Sequence, residues 1–302
     1  MTTYNFAQNI FPHLADWQNQ GLKTALATLV SIDGSSPRPR GAQIGVAEDG
    51  RHIGIISSGC AEEAIIAEAL DVLNTGRNRL TRYGKDSPYL DVVLPCGSGL
   101  DILFTSSGLN QVTQQVSARH AARQTAYITP QQDGTLSVHS DAEADSLAYP
   151  PDYYLHVFGA GPQLTSFATL AHHMGYRLCA HSTDDKAIAL LAGQAIDVAP
   201  MNHQTRFQAS QFDAHSAVIT LFHEHALELP ILQAALNSEA HFIGAMGSRK
   251  THLQRQADLQ AADTRRPFSD ITGPIGLDIG ASDPMEIGLA ILAQIVQKRR
   301  QK

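Results

Sequence analysis

The run Tyr153–Phe158 followed by Gly159-Ala160-Gly161 constrains this chain more than any other feature. A short apolar strand that ends on Gly-x-Gly and leads into a helix belongs to a parallel βαβ arrangement. The helix is predicted to run from the glycines to about Gly175, with Pro162 in its first turn, and Arg177–His181 follows as a second strand. Ala217–Leu221 and His241–Ile243 supply two more strands. Asp283-Pro284-Met285-Glu286 marks a helix start, with Asp as cap, Pro in the first turn and Glu at the third position. Ile287, Ile291 and Ile295 then stripe one face of that last helix. Residues 152–302 are therefore expected to form a Rossmann-like, doubly wound parallel sheet.

In a dinucleotide fold the first glycine permits the tight turn, and the second lets backbone approach a pyrophosphate at the helix N-terminus. Gly159 and Gly161 stand at those two positions, but the third position carries Leu164. Asp184 or Asp185, after the second strand, is placed to accept a ribose hydroxyl. NAD(P) binding, binding of another phosphate, and a plain structural turn all stay open.

The first half is patterned differently. Leu22–Ile32 is a predicted strand, Gln43–Val46 and His52–Ile56 a hairpin around Glu48-Asp49-Gly50, and Ala61–Leu73 a helix. Asp91–Leu94 and Leu100–Phe104 are two further predicted strands flanking Pro95-Cys96-Gly97. A mixed α/β domain is expected over 1–115, with 116–151, where polar residues dominate, as the connecting segment.

Composition narrows the function classes. A net charge of −7 offers no long-range attraction for phosphate backbones, so nucleic acid is not an expected partner. No stretch approaches the roughly 18 uninterrupted apolar residues of a membrane helix, and Met1–Gln20 lacks a signal-peptide pattern. Three widely spaced cysteines make no disulfide framework. The expected location is the cytoplasm.

The candidate site residues lie mostly in glycine-rich turns. Cys60 follows Ser57-Ser58-Gly59 and precedes a helix, whose positive N-terminal end favours the thiolate, while Glu62 and Glu63 oppose that effect. Cys96 sits in a second Gly/Pro turn, and two loop cysteines in one domain suggest a shared site. Cys179 falls inside a strand and is assigned to the core. His223 and His225 follow a strand end, where open α/β sheets place ligands. His223-Glu224-His225 lacks the spacing of a helical zinc motif, however. Arg38 and Arg40, between Gly34 and Gly41, offer bidentate donors to a phosphate or form a solvated turn. Ser248 and Arg249, after another strand, bring backbone amides and a guanidinium to the sheet's carboxyl edge.

Taken in order, these segments resemble the XdhC/CoxI family of molybdenum-enzyme maturation factors. The likeness is carried by Ser35-Ser36-Pro37-Arg38-Pro39, Gly59-Cys60-Ala61-Glu62, Pro95-Cys96-Gly97 and Gly159-Ala160-Gly161. It continues through His223-Glu224-His225-Ala226-Leu227, Gly247-Ser248-Arg249-Lys250 and Gly273-Pro274-Ile275-Gly276-Leu277-Asp278-Ile279-Gly280. The resemblance implies a homodimeric chaperone rather than an enzyme. It would bind the molybdenum cofactor (molybdopterin), protect it while a cysteine desulfurase exchanges oxo for sulfido, and pass it to a xanthine dehydrogenase-type apo-enzyme. It also makes Cys60 and Cys96 candidates for contacting molybdenum or the dithiolene, and Arg38, Arg40 and the glycine turns candidates for the phosphate. Ser58 and Glu224 depart from the family pattern, which has glycine and more commonly aspartate there, as does Leu164. The alternative is an NAD(P)-dependent oxidoreductase built on the C-terminal half.

Overall fold

The computed structural model describes residues 9–87, 97–131, 133–222, 225–260 and 262–300. The chain divides into two compact units, Met1–Pro151 and Asp152–Lys302.

Unit 1 runs α1 (Phe11–Asn19), β1 (Thr24–Asp33), β2 (Gln43–Ala47), β3 (His52–Gly54), α2 (Glu62–Thr75), β4 (Arg79–Gly84), β5 (Gly99–Thr105) and α3 (Leu109–Ala121). It ends with β6 (Ala126–Pro130), β7 (Leu136–His139) and β8 (Leu147–Tyr149). Five strands form an antiparallel sheet in the order β3-β2-β1-β5-β4. Successive side chains of a strand point to opposite faces, and β1 uses both. Ala25, Ala27 and Leu29 pack with Ile65, Ala69 and Val72 of α2. Leu26 joins Leu14 and Trp17 of α1 and Val112 and Val116 of α3 on the other side. Central β1 is thus buried on both faces, which explains why its sequence is apolar with only loose alternation.

The predicted hairpin forms, with Gly50 donating to the Ala47 carbonyl in its turn. Segment 116–151, expected as the connecting segment, lies within unit 1. It holds the end of α3 and a three-stranded antiparallel sheet, β7-β6-β8. Ala126, Ile128 and Leu136 of that sheet complete the same core as α1 and α3. So few apolar residues suffice because each sits on the one buried face. The strand expected over Asp91–Leu94 lies outside the described residues.

Unit 2 runs β9 (Tyr154–Gly159), α4 (Gly161–His173), β10 (Arg177–Ser182), α5 (Asp185–Ala192), β11 (Asp197–Pro200), β12 (Ser216–Leu221) and α6 (His225–Leu236). It continues through β13 (Phe242–Ala245), α7 (Arg249–Leu259), β14 (Ile271–Thr272) and α8 (Pro284–Arg300). All six strands are parallel, in the order β11-β10-β9-β12-β13-β14. Leu164 and Phe167 of α4, Leu191 of α5 and Ile291 and Ile295 of α8 share one core cluster. Leu232 and Leu236 of α6 and Leu259 of α7 belong to another. The sheet is doubly wound, and the direction of winding reverses between β9 and β12.

The last helix begins as its sequence predicts. Asp283 accepts hydrogen bonds from Met285 and Glu286 N–H groups at 2.8 and 3.0 Å, and Glu286 reaches back to the Ser282 N–H at 2.9 Å. No helix among the described residues is long and apolar enough to cross a membrane.

Candidate functional site

Strand register gathers the motif loops of unit 1. β1 ends at Asp33, which is paired with Gly99 at the start of β5, and Gly99 also pairs with Gly84 at the end of β4. Gln43, the first residue of β2, pairs with Thr28, and Ile44 pairs with Gly54 at the end of β3. The connections 34–42 and 55–61, and the described ends 85–87 and 97–98 of a third, therefore all lie at one end of the sheet. Arg38 and Arg40 lie on the first, Gly59 and Cys60 on the second, and Cys96 belongs to the third. Cys96 itself is outside the described residues, but its neighbour loop is placed: a Cβ on Gly34 would stand 3.3 Å from the Ser98 Cβ.

The loop before α2 is built around Glu62. Its carboxylate accepts from the Ser57 N–H at 2.7 Å, the Ile56 N–H at 3.2 Å, the Ser57 hydroxyl at 2.5 Å and the Gly59 N–H at 2.6 Å. Ser57 Oγ in turn accepts from the Ala61 N–H at 2.7 Å. Burial pushes the Glu62 carboxyl up, but the hydrogen bonds from Ser57, Gly59 and Ile56 outweigh it and hold the group below its ordinary value. Gly59 and Cys60 stand exposed on this braced loop. Glu62, expected only as a charge opposing the Cys60 thiolate, is thus the residue that shapes the loop. Glu62 is the first residue of α2, with Ala61 as its N-cap, and it reaches back three residues to the Gly59 N–H.

Ser58 adopts φ 62°, in the left-handed region. This is why glycine suits the position: a β-carbon there costs about 1 kcal/mol or more. Ser58→Gly is expected to raise stability by up to about 1 kcal/mol after the entropy cost of glycine. Denaturant melts of the two proteins measure this; a loss of stability would mean that the serine hydroxyl holds the turn.

Arg40 is a strut. Its Nε donates to the Val30 carbonyl and its Nη2 to the Asp145 carbonyl, each at 2.8 Å, and its guanidinium lies 3.8 Å from the Asp145 carboxylate. It joins the motif loop to the loop before β8, so two nitrogens of its fork are already engaged. Arg38 shares the loop, with its backbone N–H 3.3 Å from Ser36 Oγ. Across the sheet end, Arg82 bonds both Asp101 oxygens and Asp33, each at 3.1 Å, and Lys85 bonds Asp33 at 3.2 Å.

In unit 2, Gly159 ends β9 opposite Leu221 of β12, where a Cβ would meet Leu221 at 3.0 Å. Gly161 opens α4, and its N–H donates to the Asp184 carboxylate at 3.2 Å. Asp184 also caps α5 through the Lys186 and Ala187 N–H groups at 2.9 and 3.3 Å, and these bonds hold its carboxyl below its ordinary value. Asp184, one of the two acidic residues expected to read a ribose, is thus bound to backbone, and it occupies the Gly161 N–H that would face a pyrophosphate. Leu164, in the third fingerprint position, is fully buried in the core. The β9–α4 turn is a poor dinucleotide cradle.

Ser248 caps α7, accepting from the Thr251 N–H at 3.1 Å, and Arg249 is exposed in the first turn. His223 and the side chain of His225 lie outside the described residues; the segment leaves β12 directly after the Gly159–Leu221 pair. Cys179 lies half-buried in β10, where burial and then Asp197 push its thiol up to about 11. Among the described residues no group of three or more His, Cys, Asp or Glu is arranged to hold a metal ion.

Residues 155–295 match the family model described as the XdhC Rossmann domain, and residues 17–84 that of the XdhC and CoxI family. The molybdenum cofactor insertion chaperone PaoD of Escherichia coli (strain K12) is 31% identical over 288 residues, spanning 92% of this chain and 84% of that protein. The chain belongs to the XdhC/CoxI family. A protein of Bacillus subtilis (strain 168), named as a probable xanthine dehydrogenase subunit, is 25% identical over 326 residues, covering 92% of this chain and 94% of the relative. The fold of this XdhC/CoxI protein is also that of the crystal structure of a xanthine dehydrogenase from Bacillus halodurans. The TM-score is 0.77 at 20% identity, with 97% of each chain covered.

Two residues of this XdhC/CoxI protein escaped sequence reasoning altogether. Arg255 of α7 and Glu228 of α6 form an ion pair, Nε to Oε2 at 2.6 Å, with both side chains about 1% exposed. Thr220 of β12 donates to the other Glu228 oxygen at 2.5 Å, and Arg255 Nη2 donates to the Met246 carbonyl. The network ties the ends of β12 and β13 to both helices that follow them. Polar residues on largely polar α7 carry no periodic signal of burial, so nothing local marked Arg255.

Proposed function

We propose that this XdhC/CoxI protein binds the molybdenum cofactor as cargo at the loop end of the unit 1 sheet. It shields the cofactor while a cysteine desulfurase replaces an oxo ligand with sulfido, then passes it to a xanthine dehydrogenase-type apo-enzyme. The protein works as a cytoplasmic homodimer and turns over no substrate of its own. The observation that carries this reading is that the Arg38/Arg40 loop and the Gly59/Cys60 loop leave from one sheet end, with Cys60 exposed on a loop braced by Glu62. A thiolate is a soft ligand and suits a sulfur-rich molybdenum centre. Glu62 keeps the loop's backbone in place before cargo arrives, which lowers the ordering cost of binding. The name of the Escherichia coli relative, an insertion chaperone for the same cofactor, supports the assignment.

Purified cofactor mixed with the full chain, followed by gel filtration and molybdenum quantification, puts this to the test. The wild type is expected to retain the metal in proportion to protein. Cys60→Ala is expected to retain at least about tenfold less, with an unchanged melting temperature because the thiol is exposed. Cys96→Ala is expected to behave alike. Folded wild type that retains no molybdenum, with or without the desulfurase, would overturn the reading.

A further inference from the structure

We propose that the exposed face of α8 is where two copies of this chain meet, antiparallel across a two-fold axis at Ala293. The inference rests on the homodimer part of the reading above and is independent of the cargo loops. Helix α8 carries two apolar stripes rather than one. Gly288, Ile291, Leu292 and Ile295 are buried, and the last three join Leu164 and Phe167 of α4 in one core. Met285, Leu289 and Val296, by contrast, are 51%, 52% and 39% exposed. Their spacings of four and seven residues put all three on one side of the helix, with half-buried Ala293 between Leu289 and Val296. Elsewhere the exposed large apolar side chains stand on separate elements, such as Leu80 on β4, Leu190 on α5 and Leu253 on α7. Scattered single residues are normal on any surface, whereas a contiguous stripe marks a contact.

The charges along the stripe choose the occupant. Glu286 stands at one end, three residues before Leu289, and Arg300 at the other, four residues after Val296; both are exposed. Arg299 is committed within unit 2, lying 4.4 Å over the Tyr153 ring and donating to the Tyr176 hydroxyl at 3.4 Å. Arg300 is therefore the cation that ends the stripe. A second α8 laid parallel would set Glu286 against Glu286 and Arg300 against Arg300, which is unfavourable. Laid antiparallel about Ala293, residues equally far from it meet. Glu286 and Arg300 each lie seven residues from Ala293, so each Glu286 faces the partner's Arg300. Leu289 and Val296 lie four and three residues away on opposite sides, so each Leu289 packs on the partner's Val296. Ala293 at the centre is small enough to let the two helices approach closely. The stripe is thus complementary to itself, in shape and in charge, as a two-fold contact between identical chains requires.

Sedimentation equilibrium of the cofactor-free, full-length protein over a dilution series tests the surface. The wild type is expected to be dimeric. Leu289→Glu combined with Val296→Glu is expected to weaken the dimer at least about tenfold, since apolar contacts at its centre become charged. The circular dichroism spectrum should remain that of the folded chain, because both side chains are exposed. Arg300→Glu alone is expected to weaken the dimer about threefold or more by setting a like charge against Glu286. Glu286→Lys combined with Arg300→Glu is expected to recover dimerisation, which damage to folding would not allow. Ala293→Cys in a Cys60→Ala background is expected to form a disulfide between copies under mild oxidant, and Cys60→Ala alone is not. A wild type that is monomeric at every concentration would overturn both this surface and the homodimer reading. A dimer that survives the Leu289/Val296 double variant, is not recovered by the charge exchange, or fails to cross-link at Ala293 would overturn the surface alone. A chain that dimerises through α8 yet retains no molybdenum would overturn the cargo reading and leave this inference standing.

Discussion

Arg255→Ala is expected to destabilise unit 2 by about 3–5 kcal/mol, the usual cost of leaving one member of a buried ion pair without its partner. Glu228 would keep its Thr220 bond but lose the guanidinium 2.6 Å away, in a place where both side chains are about 1% exposed. The Met246 carbonyl would also lose a donor. Urea unfolding followed by circular dichroism measures the difference. Glu228→Gln combined with Arg255→Met is expected to recover much of the loss, because no uncompensated buried charge then remains. A loss below about 1 kcal/mol in Arg255→Ala would mean that the pair is solvated and behaves as a surface bridge.

Glu62→Ala is expected to cost about 2–3 kcal/mol and to release the Cys60 loop. One carboxylate accepts four hydrogen bonds from residues 56–59. Bonds to a charged group contribute about 1.5–3 kcal/mol each in favourable settings, and partial exposure of Glu62 keeps the total near the lower figure. The expected loss in cofactor retention matches that of Cys60→Ala, although Glu62→Ala keeps the thiol intact. The pH dependence has a definite sign. The folded carboxyl is held below its ordinary 4.5, so its contribution is fully present above that value and disappears as pH falls through the lowered folded value. Glu62→Gln is therefore expected to flatten part of the acid limb of the melting-temperature profile. A profile identical to wild type would mean that the hydrogen bonds to Glu62 do not persist in solution.

The unit 2 half was largely legible from its residues. Strands β9, β10, β12 and β13 fall within one or two residues of their expected positions, and the Asp283–Glu286 cap forms as written. These features are local: a cap depends on four residues, and a strand on its own run of branched side chains. The small sheet over 126–149 was not legible. Its strands are three to five residues long, and Ala126, Ile128, Leu136 and Leu147 are their only buried apolar residues. Such short runs gain their stability from the core formed with α1 and α3, which no window of sequence contains.

The candidate site divides the same way. By itself the sequence determined the glycine turns, the cysteine before a helix, and the family to which their order belongs. Register alone decided that the ends of the connections 34–42 and 55–61 and the residues beside Gly84 and Gly99 share one sheet end, since antiparallel pairing joins residues as far apart as Asp33 and Gly99. Tertiary structure also turned Arg40 into a strut, committed Asp184 to two helix starts, and buried Arg255 beneath the Met246–Lys250 turn. The physical reason is common to all three. A polar side chain carries a strong preference for some partner but none for which one, and that choice waits until the fold has decided what lies within hydrogen-bond reach and what water can no longer reach.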